Sequence, residues 1–338
     1  MSASRLQPER VRQLLRAATR TRILVIGDVM LDHFVWGNVG RISPEAPVPV
    51  VDFERESFMP GGAANVARNL AAFGVRTSVF GTVGRDPAAV QLRQLLRSQR
   101  IECGGLLNAA GRITSIKTRI VAHKQQVVRV DRETRAGLDG KVTARLLNAL
   151  ESALPEADAL IVADYGKGVV TDALLGNLKR LCRRHGVWLS LDPKPVHPLD
   201  LTGLSLITPN RKETFELAGL TDETRNANPL ADANLMRAAE KSLAAFQPAV
   251  LLVTLGDLGM LLCQRGSEMI HIPTLAQEVY DVSGAGDTVI AAFTLAIATG
   301  ASPVEAAILA NHAAGIVVGK IGTATVAPEE LLASFGGR

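Results

Sequence analysis

Residues 281–290 read DVSGAGDTVI, a glycine-rich bend that runs directly into the apolar stretch AAFTLAIA. Backbone amides at the start of a helix lack partners, and the helix dipole adds to their attraction for negative charge. Glycines on either side of Ala285 let such amides come close to an anion. Asp287 then falls in the first turn of that helix, beside a phosphate that its own charge cannot help to hold. A carboxylate in that place has a use as a general base. Set about 2.6–3.2 Å from a sugar hydroxyl, it takes the proton while the amides steady a transferring phosphoryl group. The commoner meaning of such letters is a helix start with no chemistry.

A base of this kind needs a scaffold that ends several chain segments along one edge. Short β-branched runs recur between helix-length segments: ILVIG (23–27), TSVFG (77–81), ALIVAD (159–164), VWLSLD (187–192), LSLIT (204–208) and AVLLVT (249–254). Continuous apolar strands separated by helices predict an α/β fold, a doubly wound and mainly parallel sheet covered on both faces. Ligands bind beyond the carboxyl ends of such strands. Two stretches break the rhythm. In 34–56, Pro44, Pro47 and Pro49 forbid helix, and 112–133 alternates apolar and polar residues on both sides of HKQ, as an antiparallel hairpin does. Together they predict a small β-sheet lid inserted into a single domain that occupies 1–338. The run VIAAFTLAIA is about half of the roughly 20 residues that span a bilayer, so a buried helix is expected. Arg5, Arg10, Arg12, Arg16 and Arg20 suggest an amphipathic N-terminal helix, since no apolar signal region follows them.

With 338 residues, 47% of them hydrophobic, the chain can bury a large core. A formal charge of +4 and 4% aromatic residues leave no basic stripe and little base-stacking surface, which excludes nucleic acid as a partner. Cys103, Cys182 and Cys263 have no paired spacing, so neither disulfides nor zinc are expected, and a cytoplasmic location away from any membrane fits best. Neither GxGxxG after a strand nor GxxxxGK[ST] occurs; GIVVGK at 315–320 is one residue short.

The 281–287 stretch resembles the second signature of the pfkB (ribokinase-like) carbohydrate kinases, DTxGAGD, with Val282 at the usual Thr position. PGGAANVARNL at 60–70 resembles the first signature. TPNRKE at 208–213 is similar to the family's NxxE element, and TLGDLG at 254–259 to its TxGxxG loop. The resemblance runs in order from about residue 22 to 330. It implies ATP and Mg²⁺ as cofactors, Asp287 as base, and Gly284, Ala285 and Gly286 as the anion hole. It further implies that Asn210 and Glu213 organise Mg²⁺ through water without ligating it directly, that Thr254, Gly256 and Gly259 contact ATP, and that Asn311 lies near the adenine. Asp281 and GKIGT (319–323) match a monovalent-cation loop of some members, which adds K⁺.

For the sugar, Asp28 and Asp32 after the first strand can accept from hydroxyls, with Gly61, Gly62 and Asn65 beside them. A phosphorylated sugar brings a second dianion and calls for cations away from the triphosphate. The candidates are Lys117 and Arg119 on one lid strand, Arg129 on its partner, Lys167 with Asp164 in ADYGKG, and Lys194 with Asp192 in DPKP. The segments GDVMLDHFVWGNVGRISPEAPVPV, ADYGKGV and DPK resemble the heptose-phosphate kinases within the family, implying transfer to an anomeric hydroxyl. No HxGH motif occurs among six histidines, so a stand-alone kinase without a fused adenylyltransferase is expected. The lid would close over the sugar, and its uncovered face, with VPVVDF as an edge, suggests a homodimer. The alternatives are a kinase of a ketohexose phosphate or ribose, and a non-catalytic sugar or nucleotide sensor.

Overall fold

The computed structural model describes residues 6–123, 125–275 and 279–336; Arg5 of the basic N-terminal stretch and Lys124 of the HKQ turn lie outside them. The chain begins α1 (Pro8–Ala18), β1 (Arg22–Gly27), β2 (Val29–Ile42), β3 (Pro49–Gly62), α2 (Ala63–Ala72), β4 (Arg76–Val83), α3 (Pro87–Ser98) and β5 (Glu102–Asn108). It continues β6 (Ser115–Ala122), β7 (Gln125–Arg132), α4 (Gly140–Ala153), β8 (Ala159–Ala163), α5 (Asp172–His185), β9 (Trp188–Asp192) and β10 (Leu206–Ile207). The last elements are α6 (Arg211–Ala218), α7 (Ala233–Phe246), β11 (Val250–Thr254), β12 (Met260–Gln264), β13 (Ile270–Ile272), α8 (Ala285–Ala298), α9 (Pro303–Val317) and α10 (Pro328–Ala333).

Nine strands form the body sheet in the order β13-β12-β11-β10-β9-β8-β1-β4-β5. All neighbours are parallel except β11–β12 and β12–β13. Side chains of a strand alternate between faces, and both faces of β1 are buried. Ile23 and Val25 join the core that holds α2 and α8, while Leu24 and Ile26 join the core under α4 and α5. This explains the unbroken apolar runs. The body is the expected doubly wound fold, and α8 is buried along nearly its whole length against α2 and α9. Among the described residues, no helix is long and apolar enough to cross a membrane.

The lid is a separate four-stranded sheet, β3-β2-β6-β7, in which only the central β2–β6 pair is parallel. It uses residues 29–62 and 115–132, so its first half is longer than the expected 34–56. The reason is that β2 leaves β1 with only Asp28 between them, which makes Asp32 a lid-strand residue and not a turn or helix cap. The four body-side ends lie in one row: Val29 pairs with Gly62, Met30 with Ser115, and Ile116 with Arg132. Every residue of β7 is exposed. In the body, β5, β12 and β13 were not anticipated, and β10 is two residues long where LSLIT suggested five.

Candidate active site

Strands β1, β8 and β9 end in register, Gly27 beside Ala163 and Ala163 beside Asp192. Asp28 and Asp164, the next residues of β1 and β8, and Asp192, the last residue of β9, therefore bring three carboxylates to the carboxyl edge. Facing them is the start of α8, where Gly284 caps the helix at φ +79°. A side chain there would be strained, and its Cβ would lie 2.7 Å from Asn65 Nδ2. Among the described residues, the amides of Gly286 and Asp287 have no protein acceptor. Asp287 is 7% exposed; its Oδ2 accepts from Asn65 Nδ2 at 2.7 Å and its Oδ1 from the Tyr165 hydroxyl. Burial pushes its carboxyl up to about 6, against the pull of those two donors and of Lys117, with Asp32 adding to the rise.

On the lid side, Asp32 is 3% exposed and Arg119 donates to its Oδ1 at 2.6 Å. Arg119 also lies over the Phe34 ring, 5.1 Å from its centre. Gly61 makes room for this carboxylate: a Cβ would meet Asp32 Oδ2 at 2.4 Å. Gly62 does the same for the Asp28 carbonyl, also at 2.4 Å. Lys117, the register partner of Asp32, forms no ion pair among the described residues, and burial lowers its pKa despite Asp32 nearby. Arg129 sits opposite Arg119 but is turned to Asp131, with bonds of 2.8 and 3.0 Å. Lys167 is paired with Glu133 at 2.8 Å.

Two of the expected sugar ligands, Asp28 and Asp164, make internal contacts. Asp28 accepts the backbone amides of Tyr165 (2.9 Å), Lys167 (3.0 Å) and Val169 (3.0 Å), and it is 2% exposed. Its carboxylate shapes the loop after β8. Asp164 is likewise internal: its side chain is fully buried, Oδ1 accepts from Gly166 N, and Oδ2 has only His197 Nε2 at 3.5 Å. Burial and the neighbouring Asp28 raise it to about 6. Asp192 accepts from Thr208 and is held well above the ordinary range by burial, Glu213 and Asp287.

The residues expected to contact ATP come together in a cavity of about 280 Å³ lined by Thr254, Gly256, Gly259, Ala285, Gly286 and Asn311, with Val282 and Val289 among its apolar walls. Asn311 Nδ2 donates to the Pro273 carbonyl at 2.8 Å. Asn210 and Glu213 adjoin this cavity through a bridge between Asn210 and Thr254, without lining it. They form a reciprocal cap of α6, Asn210 Oδ1 accepting from Glu213 N and Glu213 Oε2 from Asn210 N. Glu213 is not a solvated helix charge, being 6% exposed, and its Oε1 accepts from Lys194 at 2.8 Å. Lys194, expected with the sugar phosphate, thus stands with the nucleotide-side acid. Asp281 Oδ1 accepts from Ser283 N and Oδ2 from Gly322 N, so it closes the loop onto 322.

Among the described residues, no three His, Cys, Asp or Glu side chains are grouped to hold a metal. Mg²⁺ commonly keeps several waters and binds through substrate phosphates. Asp192 and Glu213 at the phosphate side fit such water-mediated contact. Tyr165, which donates to Asp287, and the half-buried Arg68, which donates to the Thr323 carbonyl at 2.5 Å and lies near Asp32, were not singled out in the sequence. ADYGKG was the only signal for the first.

A parallel α/β body, a β-sheet lid and a carboxylate at an anion-ready helix start define a ribokinase-like fold with its cleft between body and lid. Residues 20–330 match the pfkB family carbohydrate kinases, and the chain belongs to that family. It is 41% identical over 328 residues to Bifunctional protein HldE of Citrifermentans bemidjiense, covering 96% of this chain and 66% of that protein. With the protein of the same name from Caulobacter vibrioides it shares 44% over 320 residues, 95% of this chain and 64% of the relative. The chain thus spans somewhat less than two thirds of these relatives. Among solved structures, phosphofructokinase-2 from Escherichia coli in complex with substrates and products superimposes with a TM-score of 0.75 at 20% identity, covering 94% of this chain and 99% of that one. Ribokinase from Arabidopsis thaliana, complexed with ribose and ATP, gives 0.72 at 19%, covering 94% and 99%. Those two likenesses concern the fold.

Proposed function

We propose that this chain transfers the γ-phosphoryl group of ATP to the anomeric hydroxyl of a phosphorylated sugar, D-glycero-β-D-manno-heptose 7-phosphate, giving the 1,7-bisphosphate used for ADP-heptose and the lipopolysaccharide inner core. The observation that carries the reading is Asp287, buried at the start of α8 beside the unpaired Gly286 and Asp287 amides. In this reading Asp287 accepts the hydroxyl proton, the freed oxygen bonds to the γ-phosphorus, the bond to the β–γ bridging oxygen breaks, and ADP leaves. The amides hold the migrating group in between. Mg²⁺, bound with the triphosphate, neutralises phosphate charge, and Asp192 and Glu213 would orient its waters.

Support for a phosphorylated sugar comes from Lys117, an ammonium with no carboxylate partner among the described residues and close enough to affect both Asp32 and Asp287. An anion placed there satisfies a charge that burial otherwise disfavours. Asp32, held by Arg119, reads a sugar hydroxyl, with Arg129 and Lys167 available to the phosphate on lid closure. The heptose assignment rests on the sequence segments at 27–50, 163–169 and 192–194 and on the HldE relatives. A homodimer through the lid is part of the proposal: Phe53, Val128 and Val130 are 64%, 45% and 55% exposed, and β3 is an edge strand. An ADP-release assay across sugars tests the reading. Turnover of heptose 7-phosphate far above ribose and fructose 6-phosphate supports it; preferential turnover of ribose overturns the phosphate assignment. Sedimentation of a Val128→Asp, Val130→Asp chain as a monomer, with the parent as a dimer, tests the assembly.

A further inference from the structure

The two donors that hold Asp287 come from different layers. Asn65 is on α2, whereas Tyr165 lies in the segment after β8, which has no helical or strand hydrogen bonds of its own at 164–170. That segment is shaped by side chains. Asp28 gathers the amides of residues 165, 167 and 169, Asp164 takes the amide of Gly166, and Arg112 donates to the Lys167 carbonyl. Five hydrogen bonds therefore fix where the Tyr165 ring begins, and the ring ends on Asp287 Oδ1.

We infer that Tyr165 is a positioning residue for the base, with Asp28 as its anchor; this rests on the role proposed above for Asp287. A carboxylate held by one donor can rotate and present either oxygen. With Tyr165 on Oδ1 and Asn65 on Oδ2, rotation is blocked, and Oδ2 keeps one open lone pair for a substrate hydroxyl. Burial and Asp287 itself hold the phenol well above its ordinary pKa, so Tyr165 keeps its proton and serves only as donor. Donation to a carboxylate favours the charged form, which opposes the burial and the Asp32 charge that act on Asp287. The titratable groups facing Asp287 are Asp32 from β2, Lys117 from β6, Tyr165 after β8 and Asp192 at the end of β9. Among them, Tyr165 alone touches it. The assignment also gives Asp28 a task that its buried, fully engaged carboxylate can perform.

The test reads the ionisation of Asp287 directly, by carboxyl ¹³C NMR of the whole chain, with its resonance identified by its loss in Asp287→Asn. Tyr165→Phe should raise the midpoint from near 6 by about one pH unit, a tenfold change in the acid constant. Asp28→Asn should move it the same way by less. The chain has two tyrosines, Tyr165 and Tyr280. Uniform 3-fluorotyrosine in a Tyr280→Phe background therefore alters only Tyr165; its more acidic phenol should lower the midpoint, and this arm needs no cavity-forming change. In the ADP-release assay, the acid limb of kcat should shift with the NMR midpoint while KM for ATP stays fixed. Coincident midpoints in wild type, Tyr165→Phe and the fluorinated protein would overturn the inference. Because the NMR arm involves no turnover, a parent protein that phosphorylates no sugar sinks the kinase reading without hiding the answer about Tyr165.

Discussion

At the proposed nucleotide end of the cleft the walls are mostly glycine backbone and aliphatic carbon, Gly256, Gly259, Gly286, Val282 and Val289 among them, with Thr254, Asp257, Thr274 and Asn311 as the polar side chains. At the sugar end they are charged side chains carried by lid strands, Asp32, Lys117 and Arg119, each placed by strand register and balanced by the others. Backbone contacts suit a ligand part that is the same in every turnover, since they change little with side-chain substitution. Charges on an inserted sheet can be exchanged without disturbing the body. On the proposed reading, Asp287 is where these two ends meet.

The largest effect should come from removing that meeting point. Asp287→Asn should lower kcat by about a thousandfold or more while ATP affinity, followed by calorimetry, stays within about twofold, because general-base catalysis contributes 10²–10⁴. Loss of nucleotide binding in that variant would dissolve the separation between the ends. Next, Lys117→Ala should raise KM for a sugar phosphate by about 10–100-fold and leave KM for ATP unchanged, as expected for losing a charge-assisted contact. Equal increases in both constants would place Lys117 outside the sugar end. Gly259→Ala should do the reverse, raising KM for ATP by roughly tenfold through about 1–3 kcal/mol of local strain. Its φ is +86°, and the new Cβ would lie 2.1 Å from the Ile272 carbonyl oxygen.

A separate effect is on stability. The Asp287 carboxyl, raised to about 6 in the fold from 3.8, makes its ionised form a cost on the order of 3 kcal/mol above pH 6. Stability associated with this group is therefore regained as pH falls through 6 towards 4. Asp287→Asn should melt a few degrees higher than the parent at pH 8, with the difference gone near pH 4; an equal Tm at pH 8 would show that the carboxylate is better solvated than its burial implies. The same titration should make kcat fall as pH drops below about 6, since the base must be ionised.

The central strands were legible because burial on both faces leaves long apolar runs, as in β1, β8, β9 and β11. β5 was not, since Gly104 and Gly105 interrupt ECGGLLN and weaken any strand signal. Asp287 was legible from its glycine bend. The amide contacts of Asp28 were not legible, because a carboxylate at a strand end looks the same in sequence whether it accepts from a hydroxyl or from amides 137 residues away. Tyr165 could not be seen for a similar reason: its partner is 122 residues distant, and a single half-buried phenol has no local periodicity. Local pattern reports burial and turns; it does not report which of two long-range partners a polar group will find.

The row of Val29, Gly62, Ser115 and Arg132 has a mechanical meaning. Each of the four strands meets the body at that row, so in the proposed closure the sheet would turn as a door hung along its full width. Swinging about the row would leave the ladders intact; shearing one leaf past another would break the β2–β6 ladder. Lys117 lies two residues from its root at Ser115, so in any swing it travels far less than the tips near Ile42 and Gln125, and the charges hold nearly still while the outer lid sweeps.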